Sequence, residues 1–434
     1  MRRGGGPRTG RPWPPRRPVL FGLAFVLALL TLVAAAFGTL GRDGREPGPH
    51  AFGTLQTAPE RAAGEYARGL RIAHLQVDWG RFEPERGVYD EGYAREVRDR
   101  LRAFLDAGLR VEAGLGLNHP PAWLAEAHPD SVWVNQFGER STAVPNVVFS
   151  GPVRGEVAAY VRRVSERIGL DRVWAIRLGI DENGEFAYPR AVSDGRDTGE
   201  FWAYDRHAQA ASPYPGWRPG ERTYRGAPFT EDRVARWYDW YLGALADAVN
   251  WEIALLAELG HTGPVKVLVP GAGFYPSDRA AAVAGRLVGT RSIGLVGRGV
   301  GFFRTLGLLD HGERVHVVTT ALVDGTGEPR DNGCRAEDAR RVGTAPDATL
   351  RSWSSARYVV AVARAEGFDR IDGESAGQQV AAYGPGVMTR AFRQFDACGL
   401  GDLMWAFDHN LYDGTPGSSL AEYAAMVRPR AAGP

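Results

Sequence analysis

Residues 173–186 read Val173-Trp174-Ala175-Ile176-Arg177-Leu178, then Gly179-Ile180-Asp181-Glu182-Asn183-Gly184-Glu185-Phe186. The first six residues are a short apolar run of the kind that forms a buried strand, and three acidic residues follow it. A second such run, 367–371, precedes another acid, Glu374. Carboxylates just past the ends of buried strands are typical of α/β enzymes, whose active sites lie at the carboxyl ends of parallel strands.

Short apolar runs alternate with longer amphipathic runs along most of the chain. The predicted strands are 51–56, 71–79, 110–117, 172–178, 265–271, 314–320, 368–374 and 402–407. The predicted helices include 91–107, 155–168, 231–259 and 354–365. Eight such alternations predict an α/β fold, a (β/α)8 TIM barrel with long βα-loop insertions at 188–230 and 277–313. The rival, an open doubly wound sheet, usually has a glycine-rich turn after its first strand, and none is present.

The N-terminus has the features of a targeting segment. A basic flank, 1–18, precedes an uncharged apolar run, 19–40, and a linker rich in Gly, Pro and charge, 41–50. The run is long enough to span ~30 Å of hydrocarbon as a helix, which favours a signal anchor over a cleaved signal peptide. Either alternative places the catalytic domain, 51–430, outside the cytoplasm, membrane-anchored or secreted.

The bulk composition excludes several classes of partner. The 434 residues carry a net charge of +1, which gives no reason to expect nucleic acid as a partner. The two cysteines, Cys334 and Cys398, are not part of a Cys/His cluster, so no metal site is predicted, and no cofactor is required. The cysteines form either one disulfide or two free thiols. The composition does not indicate an oligomeric state.

The acids after the fourth and seventh strands predict glycoside hydrolysis. That reaction needs one carboxyl group to protonate the leaving oxygen and a second to act as base or nucleophile. Glu185 is the expected general acid because the apolar, aromatic segment around it suggests the wall of a cleft. Glu182 is its rival since it lies nearer the strand end, and Asp181 is expected to orient the acid. Glu374 is the expected base or nucleophile.

Other strand ends offer groups that bind sugars. Carboxylates, amides and hydroxyls bond to sugar hydroxyls, and aromatic rings stack on the C–H face of a pyranose. The predicted substrate-binding residues are Asp78, Trp79, Asn118, His119, Trp123, Tyr275, Thr320 and Trp405. Each also has a structural interpretation, such as a helix cap for Asp78 or barrel core for Trp405.

Four motifs in order resemble those of β-amylases. Val77-Asp78-Trp79-Gly80 resembles a sugar-binding strand, and 184–189 resembles the β-amylase segment that carries the general acid. The helix with Trp240-Tyr241 is followed by Val269-Pro270-Gly271, and Gly373-Glu374-Ser375-Ala376 resembles the segment with the general base. The resemblance implies a (β/α)8 barrel with an inverting mechanism and a carbohydrate as substrate. Leu268, where β-amylases have lysine, and two extra residues in the acid loop depart from it.

Two other segments look more like the barrel β-galactosidases. These are 82–90, Phe-Glu-Pro-Glu-Arg-Gly-Val-Tyr-Asp, and 120–124, Pro-Pro-Ala-Trp-Leu. In that group the acid/base residue follows strand four in an Asn-Glu pair, whereas this chain has Glu182-Asn183.

The sequence therefore predicts an extracytoplasmic, β-amylase-like glycoside hydrolase that uses two glutamates. The alternatives are a retaining β-galactosidase-like exoglycosidase and a surface carbohydrate-binding barrel without catalytic activity. The separation of the two carboxyl groups distinguishes the mechanisms: ~6.5–9.5 Å for inverting enzymes and ~5–5.5 Å for retaining ones.

Overall fold

The structure is a computed structural model that describes residues 50–192, 199–323, 333–375, 386–406 and 408–431. All of them belong to the unit formed by residues 48–434. The predicted signal segment, 19–40, and its basic flank, 1–18, lie outside the described residues. Within the described ranges, no helix combines the length and the apolar character needed to cross a membrane.

Eight parallel strands form one closed barrel, in which each strand pairs with the next in sequence and the last closes onto the first. They are β1 (Ala51–Thr54), β2 (Ile72–Gln76), β3 (Arg110–Gly114), β4 (Ala175–Leu178), β5 (Val265–Val269), β6 (Val315–Thr319), β7 (Ile371–Glu374) and β8 (Asp402–Trp405). In the closing pair, Ala51 lies opposite Asp402 and Thr54 opposite Trp405. The predicted (β/α)8 barrel is confirmed.

Helices connect the strands. The longer ones are Pro59–Ala67, Glu91–Asp106, Gly151–Ile168, Glu231–Glu258, Pro276–Ala284, Ser355–Ala365, Val387–Cys398 and Leu420–Ala431. The shorter ones are Trp79–Phe82, Ala122–Ala127, Arg206–Ala211, Ile293–Gly297, Phe302–Thr305, Asp338–Arg341 and Asp347–Leu350. Local sequence sets their ends: Asp90 accepts the N–H of Tyr93 at 2.8 Å where one helix begins. Gly169 ends another with φ of 90°, a backbone conformation that favours glycine.

The second strand is shorter than the predicted 71–79. It ends at Gln76, and Asp78 begins the helix Trp79–Phe82 instead. The Asp78 side chain accepts the N–H of Arg81 at 3.1 Å, as an N-cap does. Only Val77 separates the end of the strand from Asp78, whose backbone is extended as an N-cap requires.

The barrel interior contains a buried charge network. The ammonium nitrogen of Lys266, on β5, lies 2.8 Å from a carboxylate oxygen of Glu112 on β3. It also lies 3.2 Å from Asp372 on β7 and 3.3 Å from Asp402 on β8. Burial would lower the pKa of Lys266, but the three carboxylates raise it. Charged side chains thus link four strands inside a barrel whose interior positions are usually apolar.

The two predicted insertions contain secondary structure of their own. The first includes the helix Arg206–Ala211 and a hairpin of Thr223–Tyr224 with Ala227–Pro228. Its aromatic residues make a local core, in which the ring of Trp217 stacks on that of Phe229 with centroids 4.3 Å apart. The second contains three helices between residues 276 and 305.

Cys334 and Cys398 form a disulfide bond, with Cα atoms 4.6 Å apart. The bond joins the connection after β6 to the last residue of the helix Val387–Cys398. Of the two alternatives that the sequence left open, the structure contains the paired one.

Candidate active site

Glu374 is the last residue of β7 and is 8 % exposed. Its Oε2 atom accepts a hydrogen bond of 2.6 Å from Nη2 of Arg177 on β4. The other guanidinium nitrogen of Arg177, Nη1, donates to buried Glu112 at 2.8 Å. Burial raises the pKa of Glu374, Arg177 lowers it, and the charge of Glu185 raises it further; the balance lies above the ordinary value.

Glu185 lies in the loop after β4, and two neutral groups hold its side chain. The hydroxyl of Thr320, just past β6, donates to Oε1 at 2.7 Å. The amide of Asn183 donates to Oε2 at 3.3 Å. Because Glu185 is one of the groups that raise the pKa of Glu374, the two carboxyl groups lie within electrostatic reach of each other.

Asp181 supports the loop that carries Glu185. Its Oδ1 accepts the backbone N–H groups of Asn183 and Glu185, each at 2.9 Å. Its Oδ2 accepts a hydrogen bond of 2.5 Å from Nη2 of Arg298. Burial and the nearby Glu185 raise the pKa of Asp181 to about 7, and Arg298 lowers it. Asp181 is completely buried, so it does not contact solvent or substrate directly. It acts through the groups to which it is hydrogen-bonded.

Glu182 has a different set of partners. Both of its carboxylate oxygens accept the backbone N–H of Arg190, each at 3.2 Å. Its backbone carbonyl accepts a hydrogen bond of 3.1 Å from the side-chain amide of Asn118. Glu182 and Asn118 therefore brace the loop between β4 and residue 190. Glu185 instead accepts hydrogen bonds from Thr320 and Asn183, and its charge acts on Glu374.

Two of the predicted substrate-binding tryptophans lie in the core. Trp79 and Trp405 have no exposed surface. Trp79 stacks on Tyr160 with ring centroids 4.7 Å apart, and Trp405 packs against Tyr423 at 5.4 Å. Both therefore offer no surface to a sugar in this structure, because the helices outside the barrel cover them.

The other predicted aromatic and polar residues keep some exposure. Trp123 is partly exposed, and its indole N–H donates to the backbone carbonyl of Glu83 at 2.9 Å. Tyr275 is 7 % exposed and lies against Tyr358, with ring centroids 4.7 Å apart. His119 is exposed. His119, Trp123 and the partly exposed Asp78 and Asn118 therefore have surface available for a ligand.

A cavity of about 60 Å³ lies among the strand ends β2 to β5. Its lining includes Gln76, Asn118, Arg177, Asn183, Leu268 and Glu252. The cavity offers room for a few water molecules beside groups that donate and accept hydrogen bonds. Among the described residues, no group of three or more His, Cys, Asp or Glu side chains is arranged to hold a metal ion.

Part of this barrel is similar to a known protein family. Residues 65–175 match the family model of β-galactosidases of glycoside hydrolase family 42. The matched segment runs from the first described helix through β2 and β3 to the first residue of β4.

Individual relatives point to the same group. β-Galactosidase BbgII of Bifidobacterium bifidum is 34 % identical over 72 residues, 16 % of this chain and 10 % of the relative. β-Galactosidase BgaA of Clostridium cellulovorans is 33 % identical over 73 residues, 17 % of this chain and 11 % of the relative. The matched segment thus spans about a tenth of each relative's length.

A solved structure extends the comparison to most of the barrel. The β-galactosidase of psychrophilic Marinomonas ef1 superposes with a TM-score of 0.51 over 88 % of this chain and 58 % of its own, at 14 % identity. At that identity the likeness concerns the fold alone.

The sequence matches agree with the prediction of a glycoside hydrolase, and the Marinomonas structure agrees with the (β/α)8 barrel. They support the resemblance to β-galactosidases and do not support the resemblance to β-amylases. The family match covers residues 65–175 and therefore ends before Glu185 and Glu374.

Three residues of the site are not among the predicted ones: Arg177, which binds Glu374, Asn183, which donates to Glu185, and Arg298, which binds Asp181. For Arg177 a pattern was available. Arg177, Glu112 and Lys266 each stand between apolar neighbours in a strand, and neighbouring residues of a strand point to opposite faces. A charged residue in such a place indicates a polar barrel interior. Arg298 lies in a connection, where no comparable pattern exists.

Proposed function

We propose that this protein is a retaining, β-galactosidase-like exoglycosidase in which Glu374 is the nucleophile and Glu185 the acid/base. The observation that carries the proposal is the 2.6 Å hydrogen bond from Arg177 to Glu374, next to Glu185. A guanidinium stays protonated at any pH relevant here, so its short bond favours an ionised carboxylate as partner. Glu185 is held by neutral donors, which tolerate a carboxyl group that loses and regains a proton.

In the first step, a carboxylate oxygen of Glu374 attacks the anomeric carbon while the bond to the leaving oxygen breaks. Glu185 gives its proton to that oxygen, and a glycosyl–enzyme ester is left on Glu374. In the second step, Glu185 takes a proton from a water molecule whose oxygen attacks the anomeric carbon, and Glu374 leaves as a carboxylate. The sum is the addition of one water across the glycosidic bond.

The retaining mechanism needs a short distance between the two carboxyl groups, about 5 Å. The effect of Glu185 on the pKa of Glu374 places the two carboxyl groups within electrostatic reach, which both the retaining and the inverting mechanism require. The galactoside as substrate rests on the β-galactosidase family model that matches residues 65–175, and on the names of two relatives that match 72 and 73 residues of this chain.

The test is hydrolysis of a panel of aryl glycosides that includes β-galactosides, β-glucosides and α-glucosides, followed by NMR of the first-formed sugar. We expect β-galactoside cleavage with the β-anomer of galactose as first product. Glu374→Gln and Glu185→Gln should each lower kcat/KM for a phenyl galactoside by at least about 100-fold, the range for a positioned acid or nucleophile. Glu182→Gln is the matched control and should keep activity within a few-fold.

Three results would overturn parts of the proposal. The α-anomer as first product would indicate inversion. Unchanged turnover in Glu374→Gln or Glu185→Gln would remove that residue from the chemistry. Binding of galactosides without any product would favour the carbohydrate-binding barrel.

We also propose that the barrel acts outside the cytoplasm. The basic and apolar N-terminal residues support this, and so does the disulfide between Cys334 and Cys398, since such bonds persist in oxidising compartments. Expression of the whole chain with a reporter at its C-terminus would test it; protection of the reporter from external protease in intact cells would contradict it.

A further inference from the structure

The acid loop, residues 181–185, is held by backbone hydrogen bonds that all converge on Asp181 and Glu185. The N–H of Gly184 donates to the carbonyl of Asp181 at 2.8 Å, and the N–H of Ile180 donates to the carbonyl of Glu185 at 2.8 Å. Gly184 has φ of 71°, which allows the tight turn. These bonds close the loop on itself, but they do not anchor it to the rest of the barrel.

Asn118 holds the loop at the carbonyl of Glu182, Thr320 holds the Glu185 side chain, and the carboxylate of Asp181 holds the backbone of the turn. One of its oxygens receives the N–H of Glu185 itself, at 2.9 Å, so this contact fixes the backbone from which the acid projects. The same oxygen receives the N–H of Asn183, whose side chain donates to Glu185. Loss of the carboxylate would leave two amides without partners and the turn free to shift.

Arg298 holds that carboxylate from outside the loop. It lies in the connection between β5 and β6, just after the helix Ile293–Gly297. Its side chain donates to Oδ2 of Asp181 at 2.5 Å. Its backbone carbonyl accepts the N–H of Tyr188 at 2.9 Å, beyond the other end of the loop. Arg298, which belongs to a different βα connection, is thus hydrogen-bonded to the chain on both sides of Glu185, at Asp181 and at Tyr188.

We propose that Arg298 is a positioning residue for the general acid: acting through Asp181, it fixes the loop that places Glu185 at the leaving oxygen. This inference rests on the proposed function. A displacement of about 1 Å in an active site lowers rates by up to roughly 100-fold. Proton donation depends on the position of the acid. Displacement of the loop should therefore lower the rate mainly for substrates whose leaving group must be protonated.

The experiment compares two aryl glycosides of the sugar that the native protein hydrolyses, one with a phenyl and one with a 2,4-dinitrophenyl leaving group. Dinitrophenolate leaves without a proton, and kcat/KM reports the first step. For Arg298→Ala we expect kcat/KM to fall about 10- to 100-fold on the phenyl glycoside and less than about 3-fold on the dinitrophenyl glycoside. Arg298→Lys, which keeps the charge, should recover part of the loss.

The chain offers a matched control in Arg279, which pairs with Asp239 at 2.8 Å away from the acid loop. The side chains of Arg279 and Arg298 are similarly exposed, 21 % and 23 %. Arg279→Ala should change kcat/KM equally little on both substrates. If Arg298→Ala does not give a cooperative thermal transition, Asp181→Asn replaces it, since asparagine keeps an acceptor for the two amides and removes the charge that Arg298 binds.

Equal losses on the two substrates in Arg298→Ala and Asp181→Asn would overturn the inference and leave only a structural role. Glu185→Gln, measured alongside, separates this failure from that of the proposed function. If Glu185→Gln shows the leaving-group difference and the Arg298 variant does not, the positioning role is wrong. If Glu185→Gln shows none, the assignment of the acid itself is wrong.

Discussion

At the scale of the residue, two opposing effects determine the pKa of Glu374. Burial and the neighbouring Glu185 favour its neutral form, and the guanidinium of Arg177 favours its carboxylate. The net pKa lies above the ordinary value of 4.5. Since a nucleophile must be ionised, activity is lost as the pH falls through this pKa. The acidic limb of the rate profile should therefore lie above pH 4.5.

Arg177→Met removes the influence that lowers this pKa. We expect the acidic limb of kcat/KM to move to higher pH by about 1 unit or more, because an adjacent opposite charge typically shifts a carboxyl pKa by that amount. The measurement is the pH profile of aryl galactoside hydrolysis. Arg177→Lys keeps a positive charge and should show the smaller shift. An acidic limb at the same pH in Arg177→Met and the native protein would contradict the role given to Arg177.

At the scale of the element, the helix Glu231–Glu258 carries an unusual buried acid. Glu252 is 3 % exposed, and neither carboxyl oxygen has a hydrogen-bond partner among the described residues. Burial raises the pKa of Glu252 to about 8, although Arg154 lowers it. The folded protein therefore keeps this proton over a pH range in which the unfolded chain has released it.

Glu252→Gln should make the protein more stable at alkaline pH. Because the pKa of the folded state exceeds that of the unfolded state, the native protein loses stability as the pH rises from about 5 to 8, on the order of 4 kcal/mol from this group. Glutamine removes that loss. We expect the gain in unfolding free energy to be small at pH 5 and largest at pH 8, measured by urea unfolding.

Glu258 offers the control, since it is exposed near the end of the same helix. Glu258→Gln should leave the pH dependence of stability unchanged. Parallel stability curves for Glu252→Gln and the native protein would show that Glu252 is ionised in the fold.

At the scale of the whole molecule, the disulfide Cys334–Cys398 closes a loop with a sequence separation of 64. Loop-closure entropy predicts roughly 4 kcal/mol of stabilisation for such a loop. Replacing both cysteines by serine should lower Tm and the urea midpoint accordingly, and dithiothreitol should do the same to the native protein. An additional loss of stability when dithiothreitol is added to the double serine variant would point to another cause.

The sequence predicted the fold well because barrel strands are local features. Most of the eight contain a short apolar run, and the helix predicted at 231–259 is found at Glu231–Glu258. The predicted strand ends were wrong where a side chain hydrogen-bonds to the backbone and starts a helix. Asp78, for example, caps a helix and does not extend β2.

The candidate site was predicted in part. The acids stood out because they follow apolar runs, and that pattern needs no tertiary information. The residues that bind these acids could not be predicted, because Arg177 and Glu374 are 197 residues apart and meet only when the barrel closes. For the same reason the sequence could not separate Trp79 and Trp405, which are covered by helices, from the partly exposed Trp123.

By itself, the amino-acid sequence determined the order of strands and helices and the presence of carboxylates at two strand ends, because apolar periodicity and chain order are local properties. Tertiary structure alone decided that Glu185 contacts Thr320, that Glu182 binds the Arg190 backbone, and that the two cysteines pair. These contacts join segments that closure of the barrel and the folding of its loops bring together, and the direction of a side chain in a loop depends on all of its neighbours at once.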